Sequence, residues 1–323
     1  VRGTPISRPR RGIAGAMVIA LALAGCETTS PRTSPVPPAR PVGYVPASPA
    51  PVPASSASQA RALHYQKVQD GLLTRGLLRT DGGGPDTPFS PDELVRAFET
   101  IAFYGEYSGT TFGGARALDS GTLSRWSAPV RIAVEFGASV PAEQRSRDSA
   151  SISAYASRLA RVTGHSIATT RNAPNFTVFV AGVDDGDYVA ARVQQLIPGI
   201  GAQELALFRD IPSAFYCLLV AAPSARDPNT YARAVALIPA EHPDLMRQSC
   251  FHEEIAQGLG LPNDSPAARP SIFNDDDEFA LLTNHDELLL RMLYDPRLKP
   301  GMTAPEALPA ARIIARELMG QVL

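Results

Sequence analysis

Between Pro129 and Ile238 the apolar residues change period repeatedly, and this switching limits the available folds more than any other feature. Pro129–Phe136 (PVRIAVEF) alternates as a half-buried strand does. Asn175–Ala181 (NFTVFVA), Phe215–Ala221 (FYCLLVA) and Arg233–Ile238 are short apolar runs of strand length. Helical spacing separates them, with Ile152, Tyr155, Leu159 and Val162 in Ser151–Thr163, and again in Asp187–Leu196. From Pro243 onward only helical patterns remain, at Pro243–Leu259, Asn284–Tyr294 and Pro305–Met319. Strands alternating with helices, then helices alone, predict an α+β fold: a mixed sheet with packed helices and a helical C-terminal part.

Two helices are expected ahead of the sheet. Arg61–Leu78 carries Leu63, Val68, Leu72 and Leu73 as its apolar positions, and Asp81-Gly82-Gly83-Gly84-Pro85 breaks it as a flexible turn. No Lys-Ser/Thr follows those glycines, so they do not read as a phosphate loop. Ser90-Pro91-Asp92-Glu93 is a helix start, with Ser90 as N-cap and Glu93 closing a capping box.

The chain upstream of this region reads as an address and a tether. Residues 1–25 hold Arg2, Arg8, Arg10, Arg11 and no acid, followed by an apolar run from Ile13 to Ala24. That is the order of a secretory leader, and the run is short for a bilayer span. It ends in Leu23-Ala24-Gly25-Cys26, which resembles the lipobox of bacterial lipoproteins. The resemblance implies lipidation at Cys26 and a folded part held at a membrane in the bacterial cell envelope, on the periplasmic side. Glu27 after the cysteine leaves outer-membrane sorting open. From Pro31 to Pro53 nine prolines stand among Ser, Ala, Val and Arg. Such a stretch cannot bury a core, so residues 26–58 are expected to form a disordered spacer and residues 59–323 the globular domain.

Charge and cysteine use fit that placement. The whole chain has a net charge of −2, and loss of the four leader arginines leaves 26 basic against 32 acidic residues. A nucleic-acid partner is therefore not expected. Three cysteines are too few for a disulfide scaffold or a four-cysteine zinc module. With Cys26 lipidated, Cys217 and Cys250 remain, and outside the cytoplasmic membrane two such thiols are usually oxidised together. Two buried free thiols are the alternative, whereas a cysteine nucleophile would need an oriented histidine that the spacing does not supply.

The stretch 249–296 carries the chemistry. At His252-Glu253 a zinc helix would need a second ligand one turn on, where Ala256 stands. His252 itself projects toward the Phe251/Ile255/Leu259 stripe, the place of a packed residue. Shifted by one position, Glu253-Glu254-x-x-Gln257-x-x-Gly260-x-x-Asn263-Asp264 has the spacing of H-E-x-x-H-x-x-G-x-x-H/D and resembles the metzincin zinc proteases. Pro270-Ser271-Ile272-Phe273 resembles the family's Met-turn, with Phe273 at the methionine position, and Phe279–Thr283, Asp286 and Leu293-Tyr294 resemble the last helix of the catalytic domain. Phe251-His252-Glu253-Glu254, Leu259-Gly260-Leu261, Ser271-Ile272-Phe273-Asn274-Asp275 and Leu293-Tyr294-Asp295-Pro296 resemble an uncharacterised alphaproteobacterial lipoprotein family defined only as a domain of unknown function.

The resemblance implies a zincin-like fold with a cleft lined by Glu253, Gln257, Asn263, Asp264 and Phe273, and Glu254 at the general-base position. It also implies lost zinc chemistry. A Glu/Gln/Asn/Asp set is a hard-oxygen set, suited to Ca²⁺, Mg²⁺ or Mn²⁺ or to no metal, and not to Zn²⁺. Three functions stay open. One is a non-catalytic pseudo-protease that holds a peptide, glycan or envelope protein. A second is a hydrolase with an oxygen-ligated or metal-free site using Glu254 as base. The third is a structural or assembly protein of the envelope. Binding or assembly is preferred, since a fold does not confer chemistry on its own. The acidic run Asn274–Glu278 lacks calcium-loop spacing and reads as a solvated loop. Asn284 and Glu287 read as a capping pair for the helix that follows.

Overall fold

The computed structural model describes residues 53–104 and 121–320. The leader, Cys26 and all but the end of the expected tether lie outside the described residues. Helix α1 (Ser56–Thr74) begins three residues inside the stretch expected as tether. It is followed by α2 (Pro91–Phe103), β1 (Val130–Phe136), α3 (Ala142–Thr163), β2 (Ile167–Thr169) and β3 (Phe176–Ala181). Then come α4 (Gly186–Leu196), α5 (Ala202–Arg209), β4 (Leu218–Pro223), β5 (Tyr231–Pro239), α6 (Asp244–Gln257), α7 (Asn284–Leu293) and α8 (Ala304–Leu318).

The five strands form one mixed sheet in the order β2-β1-β3-β5-β4. Strands β2, β1, β3 and β5 run parallel, and β4 closes one edge antiparallel to β5. Position explains composition. The central strands β3 and β5 are covered on both faces, which requires nearly unbroken apolar sequence. Val178, Val180, Ala234, Ala236 and Ile238 face the main core with Phe251, Ile255 and Leu259 of α6. Phe179, Ala181, Val235 and Leu237 face a second cluster with Val189, Val193 and Phe208 of α4 and α5. Strand β1 is covered fully on one face only, and its outer Glu135 pairs with Arg192 at 2.7 Å.

Helix starts follow local chemistry. Ser90 and Glu93 form the expected capping box, with Pro91 as the first helical residue. The second cap differs from expectation by one residue. Thr283 caps α7 and Asp286 closes the box, not Asn284 with Glu287. Glu287 is drawn aside by Arg158, which donates to it at 2.8 Å. Helix α1 also presents a different face. Leu63 and Leu73 are 65% and 45% exposed, while Ser58, Tyr65 and Leu72 are buried. Its inner face is held by polar bonds: Ser58 Oγ donates to Glu241, Arg61 to the carbonyl of Ile211, and the backbone N–H of Met246 donates to Gln69. Strand β2 and helix α5 were not expected. A three-residue strand and an eight-residue helix carry too few apolar repeats to register as a period.

Candidate functional site

Helix α6 runs beneath the sheet and carries the candidate residues in its last turns. Its N-terminal half is fixed by charge. Arg247 and Asp148 are both nearly inaccessible and meet at 3.0 Å, and the same guanidinium donates to the carbonyl of His242 at 2.6 Å. Asp244 binds its outer edge at 2.6 Å. A disulfide joins Cys250 of α6 to Cys217, just before β4, with Cα atoms 6.0 Å apart. It ties the edge strand to the helix.

The end of α6 requires glycine twice. A Cβ on Gly258 would lie 2.6 Å from the ring of Phe176. Gly260 has φ +128°, and a Cβ there would lie 2.3 Å from the carbonyl oxygen of Ser124. Only glycine fits such a conformation without strain. Gly260 therefore has a backbone reason for its place in the motif, since it turns the chain out of α6 toward Asn263 and Asp264.

Of the expected cleft residues, Gln257 and Asp264 are brought together, the amide donating to Asp264 Oδ1 at 3.3 Å. Asn263 is turned toward α2 and donates to the carbonyl of Thr100 at 3.0 Å. Glu254 and Gln257 are buried and Glu253 is half-buried. Glu253, Glu254 and Asp264 all have interaction partners. Phe273, expected to line the cleft, has no exposed surface and packs in the main core. Among the described residues no group of three or more His, Cys, Asp or Glu side chains is arranged to hold a metal ion. Two of the ligand positions carry amides, poor donors for zinc by type.

His252 is a packed residue. Its ring stacks on Tyr155 with centroids 3.9 Å apart, and its Nδ1 accepts from the backbone N–H of Leu282 at 2.9 Å. The Tyr155 hydroxyl donates to the carbonyl of His252 at 2.8 Å. Burial, with Arg158 adding a smaller effect, pulls the imidazole pKa down to about 3, so the ring is neutral at neutral pH.

Beneath α6 the turn at 270–273 is organised by a residue that the sequence places only in the expected last helix of the domain. Asp286 is fully buried. It accepts from Ser271 Oγ at 2.5 Å, from the backbone N–H of Ile272 at 3.0 Å and from that of Thr283 at 2.9 Å. The Thr283 hydroxyl lies 2.8 Å from Asp286 Oδ2 and 2.9 Å from the carbonyl of Pro270. The peptide before Pro270 is cis. The signal was present in the sequence, since Thr283-x-x-Asp286 is itself a capping-box pattern.

The triple-glycine turn and the acidic run close over this region. The turn is packed, contrary to expectation: a Cβ on Gly83 would lie 2.6 Å from Pro270, and the carbonyl of Gly82 accepts from the N–H of Asn284 at 3.0 Å. In the acidic run Glu278 bridges Arg269 at 2.5 Å and Arg79 at 3.1 Å. Arg269 is the main cause holding its carboxyl below the usual range. Arg79 also pairs with Asp81 and Asp86 at 2.8 and 2.6 Å. The end of the run is thus neutralised by arginines, while Asp275 and Asp276 are exposed.

Residues 91–312 match a family model described as a protein of unknown function, DUF2927. The chain belongs to the DUF2927 family. The DUF2927 span takes in the whole sheet, α6, the Asp286 turn and α7, and leaves α1 outside. No curated protein and no solved structure matches the chain.

Proposed function

We propose that this DUF2927 protein is a lipid-anchored envelope protein whose metzincin-like cleft binds a peptide, glycan or partner protein without hydrolysing it. The observation that carries the reading is the use made of the motif positions. Gln257 and Asp264 bond to each other, and Asn263 is spent on Thr100 of α2. These are groups that hold a shape or a polar ligand, and they offer no imidazole set to bring a bound water near pKa 7. The anchor rests on Leu23-Ala24-Gly25-Cys26. Among the described residues no helix is long and apolar enough to cross a membrane.

Hydrolysis with Glu254 as base is a second reading, favoured by the burial of that carboxyl beside Glu253 on α6. A buried carboxylate beside a second acid is a recurrent setting for acid–base chemistry. One pair of variants separates the readings. Cys26→Ser is expected to release the protein from membranes in fractionated cells; continued membrane association overturns the anchor. Glu254→Gln is expected to leave capture of envelope material by the full chain unchanged. Wild-type peptide hydrolysis that this variant abolishes would replace binding by catalysis.

A further inference from the structure

The C-terminal part of α3 and the length of α7 lie side by side and enclose an open groove of about 330 Å³, lined by Arg158, Arg161, Val162, Glu287 and Arg291. This volume is at the lower end of small-ligand sites, roughly 300–1,000 Å³. The charges in it are unequal. Arg158 is neutralised and fixed: it donates to Glu287 at 2.8 Å and to the carbonyl of Leu282 at 3.0 Å. Arg161 and Arg291 are exposed and form no ion pair among the described residues. Two uncompensated guanidinium groups thus share one groove with a third that is held in place, in a chain that is net acidic.

We propose that this groove binds an oxyanion, a phosphate or carboxylate group carried by a small soluble ligand. Guanidinium forks match such groups bidentately, and Arg158 supplies an already ordered edge. The site shares no residue with the cleft at Gln257 and Asp264 and does not depend on its function. Its small volume favours a small soluble ligand over an extended lipid surface. The N–H of Ser55, at the start of α1, donates to Asp184 at 2.9 Å, and the neighbouring Asp185 accepts from the N–H of Ser139 at 3.1 Å, just ahead of α3. Arg158 is sixteen residues along α3, about 24 Å from that end at 1.5 Å per residue. The groove therefore lies near the C-terminal end of α3, the end remote from Ser139 and Ser55.

Arg161 and Arg291 also stand where a cation answers the negative end of a helix dipole. The two roles are separable by experiment. The full chain in neutral detergent is titrated with inorganic phosphate at constant ionic strength, following arginine Nε–Hε resonances by NMR, with acetate and phosphatidylglycerol vesicles as further arms. Saturable shifts confined to Arg158, Arg161 and Arg291 with phosphate or acetate are expected, weakened at least tenfold in Arg161→Gln/Arg291→Gln. Glu287→Gln removes the counter-charge and is expected to tighten binding several-fold. Unchanged phosphate binding in the double variant overturns the site. So does a fall in melting temperature with no binding in the wild type, which leaves only the dipole role. Binding to vesicles without binding to either free anion overturns the soluble ligand.

Discussion

His242, just ahead of α6, and His252, within it, differ in one respect. Both are buried, and burial pulls both imidazole pKa values down to about 3. At His252 the ring nitrogen Nδ1 has a backbone donor at 2.9 Å, and the neighbouring Asp286 turn is saturated with hydrogen bonds. At His242 the ring packs edge-on against Tyr65 at 4.1 Å, and among the described residues His242 Nε2 has no hydrogen-bond partner of good geometry. The saturated corner is built entirely from residues inside the family span, whereas Tyr65 belongs to α1, outside it. A buried polar group without a partner costs about 1–3 kcal/mol. The comparison teaches that the packing of α6 is fully bonded around His252 and leaves a buried nitrogen unsatisfied where α1 covers it.

The largest effect is expected at the saturated corner. Asp286→Ala would orphan the donors of Ser271, Ile272 and Thr283 and destabilise by about 3–5 kcal/mol in urea unfolding. A loss under about 1 kcal/mol would mean the turn does not depend on that carboxylate.

Removal of the disulfide, by Cys217→Ser with Cys250→Ser, comes next. The bridge spans a sequence separation of 33 residues. The chain-entropy model assigns such a loop about 3–4 kcal/mol, and the difference from wild type should vanish when both are reduced. Gly260→Ala should cost about 1–3 kcal/mol through its positive φ and the close approach of the Ser124 carbonyl. A neutral result there would contradict the tight turn out of α6.

The histidines give the sharpest contrast. Each has a folded pKa below its unfolded value of about 6.5, so its contribution is complete above that value. As pH falls below it the unfolded state takes up protons first, and stability declines until about pH 3. The slope is up to about 1.4 kcal/mol per pH unit for each ring. His242→Leu should flatten the profile by one proton and leave stability at pH 7 unchanged or raised by up to about 1 kcal/mol, because an orphaned nitrogen disappears. His252→Leu should flatten it equally but lose about 1–3 kcal/mol at pH 7, since the Leu282 N–H is orphaned. Equal effects of the two at pH 7 would erase the comparison.

Much of the frame was legible in the residues. The run NFTVFVA reads as a strand by its length and apolar content, and Ser90-Pro91-Asp92-Glu93 reads as a helix start; the structure has both. Cys217 and Cys250 were paired by reasoning from compartment alone. The face of α1 was not legible, because its anchors are Ser58, Arg61 and Gln69 and an apolar count passes over polar anchors. The turn out of α6 was half legible. Spacing located Gln257 and Asp264 and gave Gly260 its place, but Asn263 turns toward α2 through a contact far away in sequence. Phe273 fills the core for the same reason, since burial of that turn is decided by Asp286 fifteen and fourteen residues after Ser271 and Ile272.

The most direct measurement is metal content by mass spectrometry on the full chain purified without chelator, beside Glu253→Ala/Gln257→Ala. A binding cleft without zinc chemistry predicts no stoichiometric metal in the wild type and no change in the double variant. One equivalent of metal per chain, lost in that variant, would contradict it.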